Sequence, residues 1–132
     1  MKILLTYLAT IIPLGILDGL WLTFVAKDFY AKYLGFLFSK TINFAPIAAF
    51  YPIYAFAVMF LVVMPALEAQ SLISALWKGA LFGLAAYAAY DLTNHATIAN
   101  WPLIITVVDI AWGAVVTALA SAAAYLIMNA VK

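Results

Sequence analysis

The segment YDLTNHATIANWPLIITVVDIAWG, residues 90–113, concentrates the polar groups of an otherwise apolar chain. It contains the only histidine, two of the five acidic residues, two asparagines and two of the four tryptophans. Long hydrocarbon stretches precede and follow it. The segment therefore predicts a polar junction between two apolar helices, and it is the first place to expect a functional site.

The composition of the whole chain indicates its solvent. Of 132 residues, 70% are hydrophobic and 8% are charged, and the mean hydropathy is +1.16. A soluble domain is roughly 45–50% apolar and 25% charged, and a short chain leaves too much surface exposed to hide the excess. We therefore expect a single integral membrane domain. The net charge of +1 gives no electrostatic basis for nucleic-acid binding, and the absence of cysteine excludes disulfides and thiolate chemistry.

Four segments are apolar enough to cross a bilayer, which takes about 20 helical residues. They are residues 3–25, 46–67, 72–90 and 102–129. The predicted fold is therefore all-α, a transmembrane four-helix bundle. The first apolar run exceeds the roughly 7–15 residues of a signal-peptide core, so we expect it to remain as the first span. With four spans and one orientation, both termini lie on the same side of the membrane.

The residues between the first two spans predict an amphipathic helix at about 28–40. Polar or small residues recur there at helical spacing, and aromatic residues occupy the opposite face. Two interpretations fit this pattern. The helix is either an anchor, with lysines toward the headgroups and aromatics in the acyl boundary, or a lid over a site inside the bundle.

Orientation and oligomeric state stay open at the level of sequence. Lys2, Lys78 and Lys132 fall on one predicted side of the membrane, and three further lysines fall on the other, so the positive-inside rule does not decide orientation. Small residues at Gly79 and Gly83 allow close helix packing, inside the bundle or between protomers. We favour packing inside the bundle, with a homodimer, including an antiparallel one, as the alternative.

Three carboxyl groups are predicted to share one half of the membrane. Asp18 and Asp109 lie in the first and fourth spans, each about 12 Å from the same boundary at 1.5 Å per residue. Asp91 ends the third predicted span on that side. A charged group costs roughly 2.5–3.5 kcal/mol at the membrane centre, and this cost favours a functional use such as proton binding or acid–base catalysis.

Each of the two acids in the outer spans precedes a tryptophan by three positions. The pairs are Asp18 with Trp21 and Asp109 with Trp112. Because residues at i and i+3 share a helix face, each indole is expected beside its own carboxylate. The alternative places Trp21 in an interfacial aromatic belt and Trp112 toward lipid. A further interpretation of the two copies is an internal repeat.

The remaining polar residues of the segment supply candidate ligand-binding groups. His95 is a candidate proton carrier. Asp91, His95 and Asp109 form a candidate metal site, although no paired histidine spacing accompanies them. Residues 91–94 also fit the end of a helix, with side chains bonding the backbone. The predicted binding residues are Trp21, Tyr90, Thr93, Asn94, Asn100 and Trp112.

The chain resembles a family of small predicted bacterial membrane proteins of unknown function in four motifs: Asp18-x-x-Trp21-Leu22, Tyr90-Asp91-x-Thr93-Asn94, Asn100-Trp101-Pro102 and Asp109-x-x-Trp112-Gly113. The resemblance covers nearly the whole chain. It implies a bacterial cytoplasmic membrane protein and assigns no activity, cofactor or catalytic residue.

Three classes of function follow from these observations. A pocket that binds or transforms a small or lipid-like molecule would use Asp18, Asp91, His95 and Asp109 as acid, base or ligand-binding groups. A small proton-coupled transporter, working as a dimer, would use the same acids as proton carriers. An accessory subunit would use them to hold helices together. Because the polar groups gather at one side, we favour the pocket. The sequence does not identify a cofactor.

Overall fold

The computed structural model describes residues 1–132 and contains helices without any strand. The helices in chain order are α1 (Lys2–Val25), α2 (Lys27–Leu34), α3 (Phe44–Glu68), α4 (Leu72–Thr97) and α5 (Leu103–Ala130). All except α2 are long and apolar enough to cross a membrane. The prediction of an all-α four-helix bundle is confirmed.

The outside of the bundle is covered by large apolar side chains, as a lipid environment requires. Ile12, Ile53 and Leu81 are examples from three of the long helices, each more than half exposed. A soluble protein rarely exposes apolar patches beyond a few hundred Å². The chain is therefore an integral membrane protein.

The core lies where α1, α3 and α5 meet. Leu14 of α1, Val58 of α3 and Val116 of α5 are buried in one apolar cluster. Near it, the Tyr54 hydroxyl and Thr117 Oγ1 form a hydrogen bond of 2.8 Å, so a polar link joins α3 to α5 inside hydrocarbon. This core fixes the position of α1 relative to α5, on which the site described below depends.

Helices α4 and α5 approach each other through glycine. A Cβ atom on Gly83 would lie 2.0 Å from the carbonyl oxygen of Gly113 and 2.5 Å from Thr117 Oγ1. A Cβ on Gly79 would lie 2.8 Å from Ser121 Oγ. Both glycines therefore serve packing inside the bundle, as favoured from their spacing.

The third long helix continues beyond the predicted span of residues 72–90. It ends at Thr97, so Asp91, Asn94 and His95 lie on a helix rather than in a turn after it. Within this helix the Thr93 hydroxyl donates to the carbonyl of Ala89 at 2.5 Å, a local bond that threonine can form without leaving the helix. The turn comes later, between Thr97 and Leu103.

Helix α2 is shorter than the predicted 28–40 and lies against the bundle. It ends at Leu34, is followed by a 3₁₀ turn at Gly35–Leu37, and the backbone is extended at Phe38. Leu34 is buried with Trp101 and Ile105 of the α4–α5 junction. Phe29, Tyr30 and Tyr33 therefore pack partly on protein, whereas Phe36 and Leu37 of the same predicted face remain exposed.

Candidate functional site

Two tryptophans from opposite ends of the chain form the centre of the site. The rings of Trp21 and Trp112 stack with centroids 4.3 Å apart and planes 7° from parallel. Trp21 begins a π-helical turn, Trp21–Val25, at the end of α1. Such turns recur at functional sites. The stack fixes the α2 end of α1 against α5.

Asp18 accepts hydrogen bonds from two helices. The Trp112 indole N–H donates to Asp18 Oδ1 at 2.9 Å, and the Tyr51 hydroxyl of α3 donates to Asp18 Oδ2. Only 7% of Asp18 is exposed. A carboxylate held by two donors has part of its desolvation cost offset, because charge-assisted hydrogen bonds are stronger than neutral ones.

Asp109 accepts a hydrogen bond from a side chain of α2. The Tyr30 hydroxyl donates to Asp109 Oδ1 at 2.5 Å and accepts a longer contact of 3.4 Å from the Trp21 indole N–H. Burial raises the pKa of Tyr30 above its usual value near 10, and the hydrogen bond to Asp109 raises it further. The hydroxyl therefore stays protonated at neutral pH and remains a donor.

Neither indole N–H donates to the carboxylate three positions before it, although both aspartate–tryptophan pairs line the same cavity, as expected from their shared helix faces. Trp112 bonds Asp18 of α1, and Trp21 bonds Tyr30 of α2. Trp112 is also half-buried rather than lipid-facing, because the stack on Trp21 covers it.

Asp91 has a different environment from the other two acids. It is fully buried, with 0% exposed, and neither of its oxygens receives a hydrogen bond from an N–H or O–H group. The carboxyl group of Asp109 lies within hydrogen-bonding reach of it. Two carboxyl groups bond each other only when one carries a proton, since ionised carboxylates are acceptors alone.

These groups surround a cavity of about 260 Å³ at the α2 end of the bundle. No lysine or histidine lines it, and seven of its thirteen lining side chains are aromatic. The lining residues are Asp18, Trp21, Leu22, Tyr30, Leu34, Phe38, Tyr87, Tyr90, Asp91, Trp101, Ile105, Asp109 and Trp112. A larger cavity of about 450 Å³, lined in part by Lys2, Glu68 and Lys132, lies at the opposite end and contains none of this cluster.

The structure brings some predicted residues into the cavity and leaves others outside it. Inside are the three acids, both stacked tryptophans and Tyr90. His95 lies beside the cavity wall, where its Nδ1 and the Trp101 indole both contact Thr106 Oγ1 at 3.0 Å. Thr93, Asn94 and Asn100 do not line the cavity.

Asn100 has a local structural role in the turn between α4 and α5. Its φ is 62°, in the left-handed region, and asparagine tolerates this conformation better than most residues. Of the candidate metal residues, Asp91 and Asp109 lie together, but His95 does not complete a group of three His, Asp or Glu side chains that could hold a metal ion.

Several cavity residues are not signalled by the spacing of the acids. Tyr30, Tyr87 and Trp101 line the cavity, and Tyr51 bonds Asp18 from outside that lining. For Tyr30, the sequence did contain an indication: the interpretation of α2 as a lid placed its aromatic face over a site inside the bundle. Tyr87 is placed by close packing: its ring covers Gly113, where a Cβ would lie 2.2 Å from Tyr87 Cγ.

The fold and the site define a polytopic α-helical membrane protein with an acidic, aromatic cavity at one end of its bundle. The chain belongs to the family described as Predicted membrane protein (DUF2177), whose model matches residues 3–126. This agrees with the family resemblance seen in the motifs. No curated protein and no solved structure matches the chain.

Proposed function

We propose that the protein binds a small or lipid-like molecule in the cavity at the α2 end, with Asp91 and Asp109 as a proton-sharing pair that contacts it. The observation that carries this proposal is the state of Asp91, which is fully buried with both oxygens free of N–H and O–H donors. A buried ionised group without partners is strongly unfavourable. Such a cost is expected at a site that gains a proton or a ligand.

The groups around the pair support a shared proton. Asp91 faces Asp109 of α5, and Asp18 of α1, Tyr30 of α2, and Tyr87 and Tyr90 of α4 line the same cavity. None of these groups is a cation, so no fixed positive charge offsets two ionised carboxylates. A like charge at short distance favours protonation of one partner. The pair then holds one proton, available for exchange when a ligand arrives.

The other lining groups position this pair. Asp18 bonds α3 and α5, so it holds helices around the cavity, while Tyr30 closes the α2 side by its bond to Asp109. Helix α2 accordingly acts as a lid in this proposal. The membrane that the proposal assumes is a bacterial cytoplasmic membrane.

The test is native mass spectrometry of protein extracted with its surrounding lipid in polymer nanodiscs. Wild type is compared with Asp91→Asn and with Asp28→Asn, which changes an exposed acid of α2 outside the cavity. We expect a bound species in wild type and Asp28→Asn that is absent from Asp91→Asn. The same set of bound species in all three proteins would contradict the proposal.

A proton-coupled transporter is the second candidate. The observation favouring it is the π-helical turn at Trp21–Val25, which places irregular backbone at the cavity wall beside the carboxyl pair. A transporter working as an antiparallel dimer predicts that reporter fusions at Lys132 detect both sides of the membrane. A single orientation would count against that arrangement.

A further inference from the structure

Four of the six tryptophan and tyrosine donors that line the cavity are already occupied. The indole N–H groups of Trp21, Trp101 and Trp112 donate to Tyr30, Thr106 and Asp18 respectively. The Tyr30 hydroxyl gives its hydrogen to Asp109. The cavity wall also holds the hydroxyl groups of Tyr87 and Tyr90 and the carboxyl oxygens of the three aspartates, and both oxygens of Asp91 lack a donor. A ligand that complements Asp91 must therefore bring donors.

The charge and the lining of the cavity also favour a ligand that is a hydrogen-bond donor with a positive charge. Three carboxyl groups line it, without any lysine or histidine. Seven aromatic side chains complete the wall, and the faces of aromatic rings attract cations. Both features disfavour an anion, which would find neither a positive charge nor a free indole donor.

The cavity also distinguishes an organic cation from a bare metal ion. Magnesium and calcium take about six or more oxygen ligands, mainly from carboxylates, carbonyls and water, whereas only the three aspartates of the thirteen lining residues carry such a side-chain group. The volume of about 260 Å³ is roughly that of eight or nine water molecules at about 30 Å³ each. This space fits a small amine with a short hydrocarbon part.

We infer that the ligand of this cavity is a small protonated amine, whose N–H groups bind Asp91 while its hydrocarbon part lies among the aromatic rings. This inference rests on the proposed function and adds the ligand class. Binding of the cation replaces the proton held between Asp91 and Asp109, so one proton leaves the protein for each ammonium group that binds.

The test uses three butyl probes of similar size and different charge: butylammonium chloride, butanol and sodium butyrate. The readout is tryptophan fluorescence in a Trp77→Phe background, because Trp77 is the one indole outside the cavity lining. Sodium chloride and magnesium chloride at the same ionic strength are included. Proton release is followed in parallel with a pH indicator in weakly buffered solution.

We expect a saturable fluorescence change and proton release with butylammonium alone. Asp91→Asn should weaken this binding by about tenfold or more, as loss of a charge-assisted hydrogen bond implies, and Asp28→Asn should leave it unchanged. Circular dichroism and thermal melting of each variant verify that the fold is retained.

Failure of the amine assignment and failure of the pocket give different results. A saturable response to butanol, butyrate or either metal salt that is lost in Asp91→Asn would overturn the amine class and leave the pocket standing. The amine class would also be overturned, and the pocket left standing, if butylammonium gave no response while native mass spectra still showed a bound species that Asp91→Asn loses. If Asp91→Asn altered no fluorescence response and native mass spectra showed no species that this variant loses, the amine class and the pocket would both be contradicted.

Discussion

The indole N–H of Trp112 donates to Asp18, an acid 94 residues earlier in the chain, at 2.9 Å. Asp109, the acid of its own motif, is bonded instead by Tyr30 of the short helix α2. The two motifs thus connect α1, α2 and α5 through one stacked pair of indoles. Asp91, next to this arrangement, is the acid that lacks donors, and the contrast between it and Asp18 can be measured.

Replacing the two acids by asparagine should change stability in opposite directions. Asp18→Asn weakens two hydrogen bonds and should lower the free energy of unfolding by about 1–2 kcal/mol. Asp91→Asn removes a buried carboxyl group that must gain a proton on folding, and its amide can still donate to Asp109, so it should raise that free energy by about 1–3 kcal/mol. Thermal melting in one detergent compares the pair. Equal losses in both variants would support the accessory-subunit interpretation, in which the acids only lock helices together.

Removing one hydroxyl from α2 should release this helix from the bundle. Tyr30→Phe deletes the donor to Asp109, so hydrogen exchange of residues 27–37 should rise and stability should fall by about 1–2 kcal/mol. Tyr33→Phe is the control, because its hydroxyl forms no side-chain hydrogen bond although the ring packs beside the same cluster. Equal exchange in the two variants would show that apolar packing alone holds α2.

The same contact should depend on alkaline pH. Since the pKa of Tyr30 is raised in the folded protein, the stabilisation is complete below about pH 10, the unfolded value, and declines as pH rises above it. The difference in melting temperature between wild type and Tyr30→Phe should therefore be constant at neutral pH and shrink above about pH 10. A difference that decreases already between pH 6 and 8 would contradict this assignment.

Adding one methyl group at Gly83 should force α4 and α5 apart. Gly83→Ala places its Cβ against the Gly113 carbonyl, a backbone atom that side-chain movement cannot relieve, and should cost about 3 kcal/mol, at the upper end for overpacking. Gly15→Ala in α1 is the matched control, with no atom within 4 Å of the added carbon. It should be neutral or stabilise α1 by about 0.5–1 kcal/mol. Purification yield and melting temperature report both, and a Gly83→Ala protein as stable as Gly15→Ala would refute the close packing.

The sequence predicted the architecture because each span meets a simple physical requirement. Lipid demands a helix of sufficient length and apolar surface, and each of the four spans satisfies this. The spacing of Gly79 and Gly83 likewise indicated that another helix packs closely against α4. The gathering of Asp18, Asp91 and Asp109 in one cavity was indicated by the matched depth of Asp18 and Asp109 and by the position of Asp91 at the same end of its span. Both can be read from residue numbers.

The partners of those acids were not predictable in the same way. Residues three apart are still about 60° apart around a helix at 3.6 residues per turn, so sharing a face does not ensure contact. Packing of α1 on α5 stacks Trp21 on Trp112 and directs each N–H away from the acid of its own motif. Tyr30 and Tyr51 became partners through the positions of α2 and α3, which no local pattern encodes.

The most direct test of the account is infrared spectroscopy of the membrane-reconstituted protein at neutral pH. A carboxyl group that carries a proton has a carbonyl stretch distinct from the bands of an ionised carboxylate. If Asp91 and Asp109 share a proton, wild type and Asp28→Asn will show this band, and both Asp91→Asn and Asp109→Asn will lose it. A wild-type spectrum without the band, or a band that survives in both variants, would contradict the proton-sharing pair on which the proposed site is based.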